Sequence, residues 1–168
     1  MKLINELQKP LGKRSRDKIV NYIGQDQHRF NKLVYEFLNG PSRITQRAAW
    51  PLSYCVCNYP DLVTPHLKTL ILNLRKPELP DAVKRNTVRF LQFINIPKSL
   101  HGQLIDICYS FLTRLNEPVA IRVFSMTVLA NLSKEYPDLK GELTVIIEDQ
   151  MPYGSAGFVS RGKKVLKQ

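Results

Sequence analysis

Apolar residues recur along this chain at helical spacing. Leu67, Leu70, Ile71 and Leu74 fall at i, i+3, i+4 and i+7, the stripe of an amphipathic helix with one buried face. Leu104, Ile107, Cys108 and Phe111 repeat the stripe, and Leu143, Ile146 and Ile147 begin it again. No window alternates apolar and polar residues at the period of two that a half-buried strand requires. The pattern predicts an all-α fold.

The stripes belong to copies of a longer unit. Ile44-Thr45-Gln46-Arg47-Ala48-Ala49-Trp50 superimposes on Ala82-Val83-Lys84-Arg85-Asn86-Thr87-Val88 and on Val119-Ala120-Ile121-Arg122-Val123-Phe124-Ser125. The shared arginines Arg47, Arg85 and Arg122 stand 38 and 37 residues apart. Each copy is followed by a proline, Pro60, Pro97 or Pro137, and then by one of the apolar stripes. Proline is favoured in the first turn of a helix, where its missing N–H costs nothing, so each is expected to open a second helix. Pro51 falls inside a first helix and is expected to kink it. Arg16 to Ile23 and Gln27 to Leu38 read as a weaker first copy. About four helical hairpins follow, stacked so that neighbours bury a core no single hairpin could bury. The expected layout is a single right-handed α-α superhelix over 1–168. It has a degenerate capping hairpin in 1–40, three hairpins in 41–150 and a basic C-terminal tail or cap in 151–168.

Pro118-x-x-Ile121-Arg122-x-x-Ser125-x-x-x-Leu129-x-x-Leu132 resembles the first helix of a HEAT repeat. Asp81-Ala82-Val83-Lys84-Arg85 is similar but less complete, and Pro51 resembles the kinking proline common in such helices. The resemblance to HEAT and armadillo arrays covers roughly residues 42 to 150. It implies a fold rather than a chemistry, because such arrays serve many unrelated roles. A weaker resemblance is to the HEAT-like alkylpurine DNA glycosylases, basic proteins that place tryptophans and a catalytic aspartate on the concave surface. Trp50, the sole tryptophan, anchors that comparison. No matching aspartate is found: Tyr54 lies one turn on, and Asp61 lies beyond Pro60.

Charge narrows the partners. The 168 residues hold 25 Lys and Arg against 14 Asp and Glu, a net +11, which bears on association rather than on fold. The surplus is concentrated at the start and the middle. Residues 117–149 are instead net acidic, with six acids against Arg122, Lys134 and Lys140. No apolar run reaches the ~20 residues of a membrane span, and the first six residues carry no secretory pattern. Three cysteines with no disulfide framework fit a cytoplasmic protein.

In a stacked array Arg47, Arg85 and Arg122 would form a ladder along one surface. Arg43 and Arg89 lie one turn from ladder members, and Trp50 and Tyr54 extend the row from Arg47 at i+3 and i+7. Arginines interleaved with aromatics suit phosphate backbones, through charge-assisted bonds and stacking. An arginine at this repeat position equally suits a bond to a neighbouring repeat, and both readings stand at this point. Arg161, Lys163, Lys164 and Lys167 form a second basic group in the tail. Gly157-x4-Gly162-Lys163-Lys164 nearly spells a phosphate-binding loop, yet no strand precedes it and Lys164 replaces the required hydroxyl. A flexible tail hinged at 153–157, or a closing helix from Ser155, reads better.

No catalytic, cofactor or metal site is expected. Cys55 and Cys57 diverge by about 200° on a helix and are expected, with Cys108, to be small buried residues. His28, His66 and His101 share no ligand spacing. The expected function is non-catalytic binding or scaffolding on a concave face. The partner is a protein or a nucleic-acid backbone, and the oligomeric state is left open.

Overall fold

Prolines set where half of the α-helices begin. In the computed structural model, which describes residues 1–168, the chain is helical with no strand. It gathers into two compact units, Met1–Ile94 and Asn95–Gln168.

The first unit holds α1 (Leu3–Leu7), α2 (Lys13–Ile23), α3 (Gln27–Asn39), α4 (Ser42–Asn58), α5 (Leu67–Asn73) and α6 (Asp81–Leu91). Pro41 and Pro80 occupy the N-cap positions of α4 and α6. Asp26 caps α3 by accepting the Arg29 amide at 3.0 Å, and Gly24 ends α2 at a φ of 49°, a conformation that favours glycine. Helix α4 is the centre of the unit, packed against α2, α3 and α6. Its Ile44, Ala48, Ala49, Leu52, Cys55 and Val56 are all buried. The helix runs on through Pro51, which removes the N–H that the Arg47 carbonyl would otherwise accept.

Pro60 does not open an α-helix as expected. Residues Pro60–His66 form a 3₁₀ segment, and α5 begins only at Leu67. Pro65 is the reason: it has no N–H for the carbonyl four residues back, so an α-helix started at Pro60 would carry a gap in its second turn. The expected stripe follows intact, with Leu67, Leu70, Ile71 and Leu74 buried.

Helix α1 had no counterpart in the sequence reading. Its Leu3 and Leu7 are buried, and Glu6 accepts bonds from Lys9 Nζ and Lys18 Nζ at 3.0 Å each and from Ser15 Oγ at 3.4 Å. The two ammonium groups hold the Glu6 carboxyl below its usual pKa. A depressed carboxyl stabilises the fold above the usual carboxylate range, and that contribution is lost as pH falls through the lowered value. Glu6→Gln is therefore expected to flatten the acid side of a stability-against-pH profile from thermal melts and to lower stability by a pH-independent amount on its neutral and alkaline side.

The second unit holds α7 (Lys98–Thr113), α8 (Val119–Leu132), α9 (Pro137–Gln150) and α10 (Ala156–Leu166), with a 3₁₀ turn at Met151–Tyr153. Pro97 and Pro118 sit at N-caps, and Pro137 opens α9. Helix α8 packs against α7, α9 and α10. Of the two readings of the chain end, the closing helix is the one formed. Ser155 Oγ caps α10 by accepting the Phe158 amide at 3.3 Å, and Phe158, Gly162 and Val165 make one buried face. The flexible tail is thereby corrected.

Cys55 and Cys108 are buried, and burial pushes both thiols up to about 12. Cys57 is exposed, against expectation. The divergence along α4 that rules out a shared metal also prevents both thiols from facing the core.

Candidate functional site

The three repeat-equivalent arginines have three different surroundings. Arg47 is half-buried and donates through Nη1 to the carbonyls of Leu7 and Gln8, at the C-terminal end of α1. Those carbonyls lack intrahelical donors, so the guanidinium satisfies them and meets the negative end of the helix. Arg122 is 7% exposed. Its Nε donates to the Leu112 carbonyl at 3.3 Å, its Nη2 donates to Gln150 Oε1 at 2.6 Å, and the group lies 4.7 Å from the centroid of the Phe158 ring. Burial lowers its pKa from the usual arginine value. Arg85 is exposed on α6; the neighbouring Asp81 pairs instead with Lys84 Nζ at 3.2 Å.

The remaining candidates on α4 and α6 come together around Tyr54. The Arg16 guanidinium, from α2, lies 4.0 Å from the Tyr54 ring centroid and 4.5 Å from that of Trp50. Arg89 lies 4.4 Å from the Tyr54 centroid and donates through Nη1 to Ser53 Oγ at 2.6 Å. Trp50 and Tyr54 meet edge to face, with centroids 6.2 Å apart. Arg16 is buried and also bonds Asp17 Oδ1. Two guanidiniums on one phenol bring positive charge together in a half-buried place. Asp17 balances the first, and only a hydroxyl balances the second. The aromatic row thus holds arginine guanidiniums over its rings, and Trp50 and Tyr54 are already engaged by cations rather than waiting for bases.

Arg43, near the start of α4, is exposed. Arg43, Arg47, Trp50, Tyr54, Arg85 and Arg89 belong to the first unit and Arg122 to the second. In the tail, Arg161 donates to Thr127 Oγ1 on α8, while Lys163, Lys164 and Lys167 are exposed. The run resembling a phosphate loop is helical within α10.

Arg16 was missed by sequence reasoning. It lies in the weak first copy, and nothing local marks it as the partner of residues 34 and 38 positions away. His101 was also passed over. It is buried, with Nε2 donating to the Ile96 carbonyl at 2.8 Å, which leaves Nδ1 to accept the Tyr136 O–H at 2.9 Å. His66 packs near Phe30, with Nε2 2.6 Å from Asn31 Oδ1, and burial lowers its pKa. No group of three or more His, Cys, Asp or Glu side chains is placed to hold a metal ion, and no helix is long and apolar enough to cross a membrane. Asp61 is exposed in the 3₁₀ segment.

A family model of the HEAT repeat domain matches residues 3–168. The chain belongs to the HEAT repeat family. Comparison with curated proteins and with solved structures finds no match. HEAT repeats generally mediate protein–protein interaction or scaffolding. The family match reaches well beyond the 42–150 span of the resemblance. It takes in α1 through α3 and α10, the elements in which the repeat pattern was weakest.

Proposed function

We propose that this HEAT repeat protein is a non-catalytic binding module of the cytoplasm whose first unit holds an anionic partner. One observation carries the reading. In α4 and α6, Arg43 and Arg85 are exposed, and Arg89 lies over the Tyr54 ring with a neutral Ser53 hydroxyl as its hydrogen-bond partner. Charge distribution supports it: residues 1–94 contain sixteen Lys and Arg against seven Asp and Glu, whereas 95–168 contain nine against seven. A guanidinium immobilised by stacking loses little side-chain freedom when it meets a carboxylate or phosphate, so its planar fork is available for paired bonds. Because Trp50 and Tyr54 are covered by guanidiniums, stacking of single-stranded bases on them is disfavoured relative to contact with a duplex backbone or an acidic protein surface.

The test is titration of the full chain with generic duplex DNA and, separately, with polyglutamate, each at two salt concentrations. At least one probe is expected to bind, with an affinity that falls steeply as salt rises. Replacing Arg43 and Arg85 together by glutamate is expected to weaken that binding roughly tenfold or more while shifting stability by no more than about 0.5 kcal/mol, because both are exposed. Binding of DNA assigns a nucleic-acid backbone, and binding of polyglutamate alone assigns an acidic protein. Failure of both probes at low salt overturns the proposal.

A further inference from the structure

Between α7 and α9 the second unit carries an open groove of about 500 Å³. Ile105 and the buried Leu139 supply apolar surface in it, and Tyr109, Tyr136 and Gly102 also line it. The two phenols have their hydroxyls committed. Tyr136 O–H donates to His101 Nδ1 at 2.9 Å, and Tyr109 O–H donates to Glu142 Oε2 at 2.9 Å. The rings are thereby fixed in place and present carbon rather than free hydroxyls. Desolvation, and then the Glu142 carboxylate, hold the Tyr109 phenol above its usual pKa, as expected for a ring on partly dry ground. Val145, one turn beyond Glu142 on α9, is 65% exposed.

The charge of this groove runs against that of the chain. The lining includes Asp106 and Glu142 and neither lysine nor arginine, in a protein with a net charge of +11. Glu142 is exposed, and its hydrogen-bond partner is a phenol rather than a cation. An apolar floor with a carboxylate at its lip is complemented by leucine-like side chains spaced one turn apart and a lysine or arginine beside them. That is the pattern of a basic amphipathic helix laid in a groove. We infer that the α7–α9 groove is a docking site for a basic amphipathic segment of a partner protein, with Glu142 receiving its cation. The long-range field of the chain opposes the approach of such a segment, so binding that occurs reports the local fit rather than bulk charge.

The experiment is isothermal titration of the full chain with a short helical peptide of leucine and lysine at i, i+3 and i+4 spacing. Saturable one-site binding is expected. Glu142→Lys and Gly102→Phe are each expected to weaken it roughly tenfold or more. A side chain at exposed Gly102 meets nothing within 4 Å of its Cβ, so the phenylalanine occupies the groove without disturbing the helices, which circular dichroism verifies. Lys163→Glu, on α10 and outside the lining, is expected to leave the affinity unchanged. No binding by the natural chain overturns the inference, as does an affinity unchanged from that of the natural chain in both groove variants. Self-association abolished by Gly102→Phe also overturns it, because the occupant is then a second copy of the chain.

Discussion

Arg122→Ala is expected to destabilise the second unit by about 3 kcal/mol, measured as a shift in the urea midpoint followed by far-UV circular dichroism. The guanidinium bonds the Leu112 carbonyl and Gln150 and covers the Phe158 ring, so it links the end of α7, the end of α9 and α10. Truncation strands a carbonyl acceptor in a buried place, which costs about 1–3 kcal/mol. It also removes a desolvated cation–π contact of up to about 2 kcal/mol and leaves a void over Phe158, which is fully buried. Arg122→Met separates these contributions. The methionine stem refills the space over the ring but donates nothing to the carbonyl, so roughly half the loss is expected to remain. A methionine variant as unstable as alanine would show that the polar contacts dominate, and one as stable as the natural chain would show that packing does.

Gly162→Val is expected to cost about 2 kcal/mol in the same assay. A Cβ at Gly162 would stand 2.9 Å from Ile147 Cγ2, and Ile147 is fully buried. The contact lets α10 approach α9 closely, which any branched side chain prevents. Gly162→Ala is the informative comparison. Alanine gains about 1 kcal/mol of helix propensity over glycine, which offsets much of the strain of one added methyl, so a change within about 1 kcal/mol of zero is expected. A valine variant as stable as the alanine variant would mean that Ile147 yields freely and that close approach is not what this glycine provides.

Much of the fold is written in local chemistry. Prolines at 41, 80, 97, 118 and 137 mark helix starts because a fixed φ and a missing N–H cost nothing there, whereas deeper in a helix, as at Pro51, a backbone hydrogen bond is lost. The leucine stripes were legible because burial demands one face every 3.6 residues. Pro60 misled for a reason that is also local: a second proline five residues on favours a tighter turn. The surroundings of the arginines were not legible. Repeat equivalence fixes where Arg47, Arg85 and Arg122 leave their helices, but what a long side chain reaches depends on the elements around it. Arg47 finds the carbonyl end of α1, an element with no repeat pattern of its own. Arg122 finds Gln150 and a phenylalanine from α10. Arg85 remains on the surface. The Arg16–Tyr54–Arg89 stack was hidden similarly: a repeat spacing places Arg16 and Tyr54 at neighbouring levels, but it does not say that the arginine side chain turns onto the ring.

The packing of Arg16 against Trp50 has a spectroscopic consequence. Trp50 is the chain's sole tryptophan, and it belongs to Met1–Ile94. Indole emission excited at the red edge therefore watches one unit only. A guanidinium 4.5 Å from its ring centroid makes that emission sensitive to displacement of α2 from α4, and Asn95–Gln168 contains no indole of its own. A ligand that changes the emission has perturbed the first unit. One that changes helicity while the emission stays constant has left the α2–α4 contact at Trp50 in place.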